Sequence, residues 1–159
     1  CAISNQPSFN IPYLFTVLGR PDLTEYWKRR AMVELFDASN KGFPGDEDNG
    51  SLSAWYVFAA IGFYPFCPGV NQYLLSNPFF EKVRINLPNG RKLEIKANNS
   101  DEKIFTEQLR INNEKYNKLY ITQEDIYRGG NWIFEMSNSP QEKEYEDIEL
   151  PFSLSQSLE

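Results

Sequence analysis

The hydrophobic pattern of this 159-residue chain changes period at Pro65, and one regular architecture cannot satisfy both sides of that change. Before it the residues read as helical. Asn10 is placed to cap a helix opening with Ile11-Pro12, Gly19 to end it, and Pro21-Asp22 to start the next. From Leu23 the apolar positions 23, 26, 27, 31, 33, 35 and 36 fall near a 3.6-residue period, with Lys28, Arg29 and Glu34 assigned to the wet side. Asp22 and Glu25 have the spacing of a capping box. Ser53 to Phe63 is apolar on every side and predicts a helix buried all round, which needs more neighbours than this half supplies. After Pro65 the pattern alternates. Val83, Ile85 and Leu87, then Leu93 and Ile95, flank Pro88-Asn89-Gly90 and predict a hairpin. Further strands are predicted near 104–111, 117–122 and 131–136. The fold class is therefore α+β, with helices first and antiparallel strands after.

Composition narrows the chemistry. The chain has no histidine, which excludes a Ser-His-Asp or Cys-His unit and a His-ligated zinc within it. Cys1 and Cys67 are too few for a disulfide scaffold and read as free thiols. The net charge of −6 argues against a nucleic-acid partner, which needs a basic footprint. Ala54 to Tyr64, the densest apolar run, is far short of the roughly 20 residues of a membrane span. The first twenty residues lack the basic start and apolar run of a signal peptide, and the opening at Cys1 reads as an excerpt of something longer. Acid–base work must rest on carboxylates, Tyr or Lys.

Those carboxylates are concentrated in one loop, Gly42-Phe43-Pro44-Gly45-Asp46-Glu47-Asp48-Asn49-Gly50. Three successive acids repel one another. In extended backbone Asp46 and Asp48 project to one side and Glu47 to the other. Two same-side carboxylates beside a helix start can activate a water or hold a hard cation through oxygen. The alternative is that Asp48 or Ser51 caps the helix while the remaining acids complement its positive end, and composition alone favours the cap. Trp55 and its aromatic neighbours next to this loop suit sugar stacking, but core packing accounts for most of them.

The loop and its continuation, Ser51-Leu52-Ser53-Ala54-Trp55-Tyr56-Val57-Phe58, then Gly62-Phe63-Tyr64-Pro65 and Pro68-Gly69, resemble the signature of glycoside hydrolase family 92, calcium-dependent exo-α-mannosidases that are often α-1,2-mannosidases. Asn5-Gln6-Pro7-Ser8 and Ile11-Pro12-Tyr13-Leu14 extend the likeness upstream. Tyr120-Ile121-Thr122, Asp125-Ile126, Gly129-Gly130 and Phe134-Glu135-Met136 extend it downstream, so that it covers about residues 5 to 140. The resemblance implies that residues 1–66 are the last helices of an (α/α)6 barrel. Residues 67–140 become antiparallel strands of a β-sandwich domain; beyond the likeness, the acidic composition from Gln141 marks 141–159 as a tail expected to be partly disordered. The resemblance implies inverting hydrolysis of terminal α-linked mannose, as in N-glycan degradation, with Asp48 as general base and Asp46 orienting the water. It also implies Ca2+ contacting the mannose hydroxyls, with Asp48 and Gln6 as candidate ligands, and Asn5, Gln6, Glu47 and Trp55 as candidate substrate contacts. The catalytic acid falls outside this chain, so residues 1–159 alone are expected to be inactive. The partners implied are mannose-containing glycans and the upstream part of the same enzyme, secreted, periplasmic or at the cell surface. Two departures stand out: Gln6 where the family has Glu, and Phe9-Asn10 where many members have two histidines. A non-catalytic carbohydrate-binding or structural sandwich with a helical appendage is the competing expectation. A barrel glycosidase with another sugar specificity is a third.

Overall fold

The computed structural model describes residues 3–98 and 101–154, and Cys1 lies outside them. The helix expected from Asn10 to Gly19 is broken into α1 (Gln6–Phe9), a 3-10 turn (Ile11–Tyr13) and α2 (Leu14–Val17). Pro7 and Pro12 each lack the N–H a continuous helix needs, and the Asn10 side chain makes no capping bond. The next helix, α3 (Pro21–Leu35), begins at the predicted proline.

The faces of α3 follow expectation only in part: Ala31, Leu35 and Phe36 pack against the helical core and Glu34 is exposed, but other positions are exchanged. Thr24, Glu25, Lys28 and Met32 point inward, while Tyr26, Trp27 and Val33 are exposed. Lys28, assigned to solvent, is 1% exposed. Its ammonium donates to the carbonyl oxygens of Ala59 (3.0 Å) and Asn77 and to Ser76 Oγ (3.1 Å). Three donors meeting three acceptors is the condition under which a buried ammonium is tolerated. The Asp22–Glu25 capping box does not form, because Glu25 turns away from the helix start and accepts from the Thr106 N–H at 2.9 Å. Periodicity counted apolar side chains and could not anticipate where acceptors would converge on a charged one.

A long loop leads to α4 (Ser51–Ile61). Leu52, Trp55, Ala59 and Ala60 are buried, but Val57 on another side is open to solvent, so the helix expected to be buried all round is covered only in part. Gly62 ends α4 at φ +105°, where a Cβ would come within 3.0 Å of Ser76 O and Pro78 N. Only glycine permits both that backbone and that contact.

The remaining chain forms two sheets. The smaller contains β1 (Phe63–Tyr64), β2 (Tyr73–Leu75) and β7 (Tyr120–Ile121), in the order β1-β2-β7. The larger contains β3 (Lys82–Asn86), β4 (Lys92–Ala97), β5 (Phe105–Ile111), β6 (Glu114–Tyr116) and β8 (Gly130–Ser137), in the order β3-β4-β8-β5-β6. The predicted hairpin is present, with Val83 opposite Ile95 and Ile85 opposite Leu93. Pairing is antiparallel except between β4 and β8, which run parallel because the chain crosses from one to the other through β5, β6 and the small sheet. Of the strand expected at 117–122 only β7 forms, pairing in the small sheet, while β6 just before that range pairs in the large one. An unforeseen short helix, α5 (Gln123–Arg128), follows β7; the reciprocal capping of Thr122 and Asp125 was its signal in the sequence.

Two apolar clusters meet at β2. Leu74 joins the helical core of Ile3, Phe9, Tyr13, Met32, Leu52 and Trp55, while Leu75 joins the sheet core around Leu93, Ile95, Trp132 and Phe134. Adjacent strand residues face opposite ways, so one short strand binds both halves together. Beyond β8 the chain returns across the sheets, where Glu149 O accepts from the Leu119 N–H and Gln72 Oε1 from the Phe152 N–H, each at 2.8 Å. Among the described residues Cys67 is a free, exposed thiol, and no helix is long and apolar enough to cross a membrane.

Candidate active site

The acidic loop is held from three directions. On one side its backbone presses against the segment before α1. A Cβ at Gly45 would lie 2.3 Å from Ser4 O, so only glycine allows this approach, which brings Asp46 beside the segment that carries Asn5 and Gln6. Below it lies an aromatic stack. Phe43 meets Phe36 edge-on at 6.1 Å, and Phe36 lies parallel to Trp55 at 5.8 Å. The third support is the start of α4, where Glu47 accepts from Ser53 Oγ at 2.6 Å and from the backbone N–H groups of Gly50 and Ser53.

This arrangement divides the three acids. Glu47 is the residue whose side chain meets an orphan N–H of α4, that of Ser53, while the Asp48 and Ser51 side chains accept none; the Ser51 and Leu52 N–H groups go to the carbonyls of Asp48 and Glu47. The Ser53 hydroxyl and Gly50 N–H hold its carboxyl below the usual range. The side chains of Asp46 and Asp48 accept no hydrogen bond among the described residues; Asp48 contributes only its carbonyl, which accepts from Ser51 Oγ at 2.8 Å and from the Ser51 N–H at 3.3 Å. Asp46 is exposed and Asp48 half-buried. Asp48 and Asn49 both sit at positive φ, +54° and +56°, ahead of Gly50 at +93°. Left-handed backbone is unfavourable for residues with a Cβ, and such strain concentrates where side chains must be aimed for function.

Asn5 and Gln6 are exposed, with their side-chain amides free of hydrogen bonds among the described residues. Only the Asn5 carbonyl is occupied, by the Ser8 N–H and by Ser8 Oγ at 2.7 Å. The Gly45–Ser4 approach sets Asp46 one residue from a contact with the segment of Asn5 and Gln6, and the side chains of Asn5, Gln6, Asp46 and Asp48 all keep their polar groups unbonded among the described residues. Trp55 is not among them. It is 1% exposed and its indole N–H donates to Phe9 O at 3.0 Å, which corrects the expectation of a substrate contact. An indole stacked inside the helical core has no face left for a sugar. Trp55, Phe36 and Phe43 instead fix the loop from beneath, and Gly45 fixes it from the side. The sequence signal for that support was the Phe-Pro-Gly run ahead of the acids.

Comparison with known proteins decides what this arrangement belongs to. Residues 1–138 match the glycosyl hydrolase family 92 catalytic domain. The chain belongs to glycosyl hydrolase family 92. A family 92 α-mannosidase from Bacteroides thetaiotaomicron, solved in complex with mannoimidazole, superposes with a TM-score of 0.90 at 33% identity, over 95% of this chain and 20% of that one. A family 92 inverting mannosidase from the same organism superposes at 0.90 and 36% identity, over 97% of this chain and 21% of that one. An uncharacterised secreted glycosidase of Arthroderma benhamiae is 32% identical over 132 residues, 80% of this chain and 17% of that protein. The family 92 chain thus spans about a fifth of the length of its relatives, and the family is one of glycosidases, with mannosidases among its solved members.

Proposed function

We propose that this chain is part of an exo-acting, inverting α-mannosidase and forms the general-base side of its catalytic site. The observation carrying this reading is the division of labour in the acidic loop: Glu47 is consumed by the helix start, while Asp46 and Asp48 remain unbonded, Asp48 at positive φ, in a loop packed through Gly45 on the segment before Asn5 and Gln6. A general base must be within reach of the proton it removes and must not already be occupied. In inverting hydrolysis one carboxylate takes a proton from water on one face of the sugar while a carboxylic acid protonates the leaving oxygen on the other. Asp48 is the base and Asp46 orients the water. Asn5 supplies amide contacts to sugar hydroxyls. The acid belongs to the rest of the protein.

The donors near the loop fit a hard cation in kind. Asp48 offers a free carboxylate and Gln6 a free amide oxygen, the ligand types that Ca2+ takes. They fit only as part of a set, since the described residues hold no group of three or more acidic, Cys or His side chains placed for a metal. Gln6 and one oxygen of Asp48 would hold the ion, the other Asp48 oxygen staying free to take the proton, and the remaining ligands would come from water, sugar hydroxyls and other parts of the protein. Bound there, Ca2+ would polarise and orient mannose hydroxyls.

The outward face of α2 and α3 supports a larger whole. Ile11, Leu14, Leu18, Trp27 and Val33 are exposed, and a groove of about 540 Å3 lined by Ile3, Phe15, Trp27, Ala31 and Leu35 runs among them. Apolar surface of that extent marks an interface. The upstream part of the same enzyme, carrying the other barrel helices, is its partner. The fungal relative described as secreted supports an exported protein acting on mannose-containing glycans.

The test is made on the whole enzyme with an α-1,2-linked mannobiose. Asp48→Asn should lower kcat by about 10²–10⁴-fold, the range general-base catalysis contributes. In the wild type, NMR should show β-mannose as the first-formed anomer, with release stopped by chelation and restored by Ca2+. Full turnover by Asp48→Asn would reject the base assignment, and α-mannose as first product would reject inversion.

A further inference from the structure

A second polar recess lies away from the acidic loop. It occupies about 370 Å3 between the first turns of α3, strands β5 and β6, and residues 141–149. Lys28, one turn along α3 from its Glu25 wall, reaches Ala59 O near the C-terminal end of α4. The acidic loop is at the other end of that helix, about 12 Å away along the axis at 1.5 Å per residue.

The recess has the parts of a binding site rather than of a packing gap. Phe105, Leu109, Phe134 and Tyr116 give it an apolar wall. Glu25, 4% exposed, supplies a carboxylate fixed by the N–H and hydroxyl of Thr106. Those two bonds leave about half of the four or so acceptor positions of a carboxylate open, and no other described residue fills them. Burial raises the Glu25 pKa well above the ordinary range, and burial together with the Glu25 charge pushes the nearby Tyr145 up to about 12. Lys115, Lys118 and Lys143 lie around the same recess.

The charge pattern selects the ligand. A cation would meet Lys115, Lys118 and Lys143, and an anion would meet Asp22, Glu25, Glu144 and Glu149. A neutral polyhydroxylated ring fits both. Its hydroxyls donate to Glu25 and accept from the lysine ammonium groups, and its C–H face lies on the aromatic wall. Small-molecule sites begin at about 300 Å3, so the recess suits one ring rather than a chain. We propose that this recess is a second carbohydrate site that holds one neutral pyranose of a mannose-rich glycan apart from the catalytic loop. It goes beyond the catalytic reading, because retention there needs no hydrolysis.

The probe is methyl 1-seleno-α-D-mannoside, used with the whole protein. Selenium anomalous scattering should place the sugar beside Glu25 as well as at the acidic loop, and ligand-observed NMR should follow both in solution. Glu25→Gln removes the charge and one acceptor, and Asn117→Trp, at an exposed lining position, narrows the mouth without touching the core. Each should abolish the selenium peak in the recess and weaken binding there at least tenfold, with mannoside turnover unchanged. A wild type with selenium only at the acidic loop would overturn the proposal. So would a recess peak that survives both substitutions, or one seen in crystals without Glu25-dependent binding in solution. An inactive wild-type enzyme would reject the proposed catalysis and leave this readout intact.

Discussion

Two charged groups flank α4, and they are built in opposite ways. At its N-terminal end the acidic loop keeps two carboxylates, Asp46 and Asp48, with no hydrogen bonds among the described residues, Asp48 on left-handed backbone. Near its C-terminal end Lys28 is sealed from water, with every ammonium proton on an acceptor. The difference separates chemistry from architecture. A group meant to meet substrate is left unsatisfied and reachable. A group meant to join elements is satisfied and dry, and its charge is tolerated because the fold supplies partners.

Substitutions can break this comparison, and the largest effect on stability is expected at Trp55. Trp55→Ala removes the floor of the acidic loop and a fully buried indole, and should destabilise the protein by about 3–5 kcal/mol in chemical denaturation. Activity should fall with it, because the Phe36–Phe43 stack loses its base. A loss of activity without loss of stability would return Trp55 to the substrate.

Lys28→Met tests the dry end. It leaves the carbonyls of Ala59 and Asn77 without their donor, and a buried group left unsatisfied costs about 1–3 kcal/mol. The effect depends on pH in a defined direction. Burial lowers the Lys28 pKa from 10.5 to about 7, so its contribution to wild-type stability is full above 10.5 and is lost as pH falls towards 7. The Met variant should lack that rise on the alkaline side of a denaturation series.

Glu25→Gln has the complementary, smaller effect. Burial raises the Glu25 pKa from 4.5 to about 7, against the pull of the Thr106 bonds. A raised carboxyl contributes stability that is full below 4.5 and lost as pH rises through 7. The wild type should therefore weaken between those values, and Glu25→Gln should flatten the slope. An unchanged slope would mean that Glu25 is not the buried acid described.

The two regions were unequally visible in the sequence. The acidic loop was legible because its composition is local: glycines, a proline and three acids in nine residues. The β3–β4 hairpin was legible for the same reason, since alternation and Pro-Asn-Gly are short-range signals. The faces of α3 were not. Whether Lys28 points in or out depends on acceptors 31 and 49 residues away, which no periodicity encodes. The parallel pairing of β4 with β8 and the burial of Trp55 under Phe36 are likewise decided at long range. Within the loop the three acids look alike in sequence, and only the Ser53 contact shows which one caps the helix.

That distinction is the centre of the account, and one crossed measurement tests it. Mannoside turnover and melting temperature are measured side by side for Asp48→Asn and Glu47→Gln in the whole enzyme. Asp48→Asn should abolish most turnover at an unchanged melting temperature, while Glu47→Gln should lower the melting temperature and spare most of the turnover. The opposite pattern, or equal effects of both substitutions on both quantities, would contradict the separation of the base from the cap.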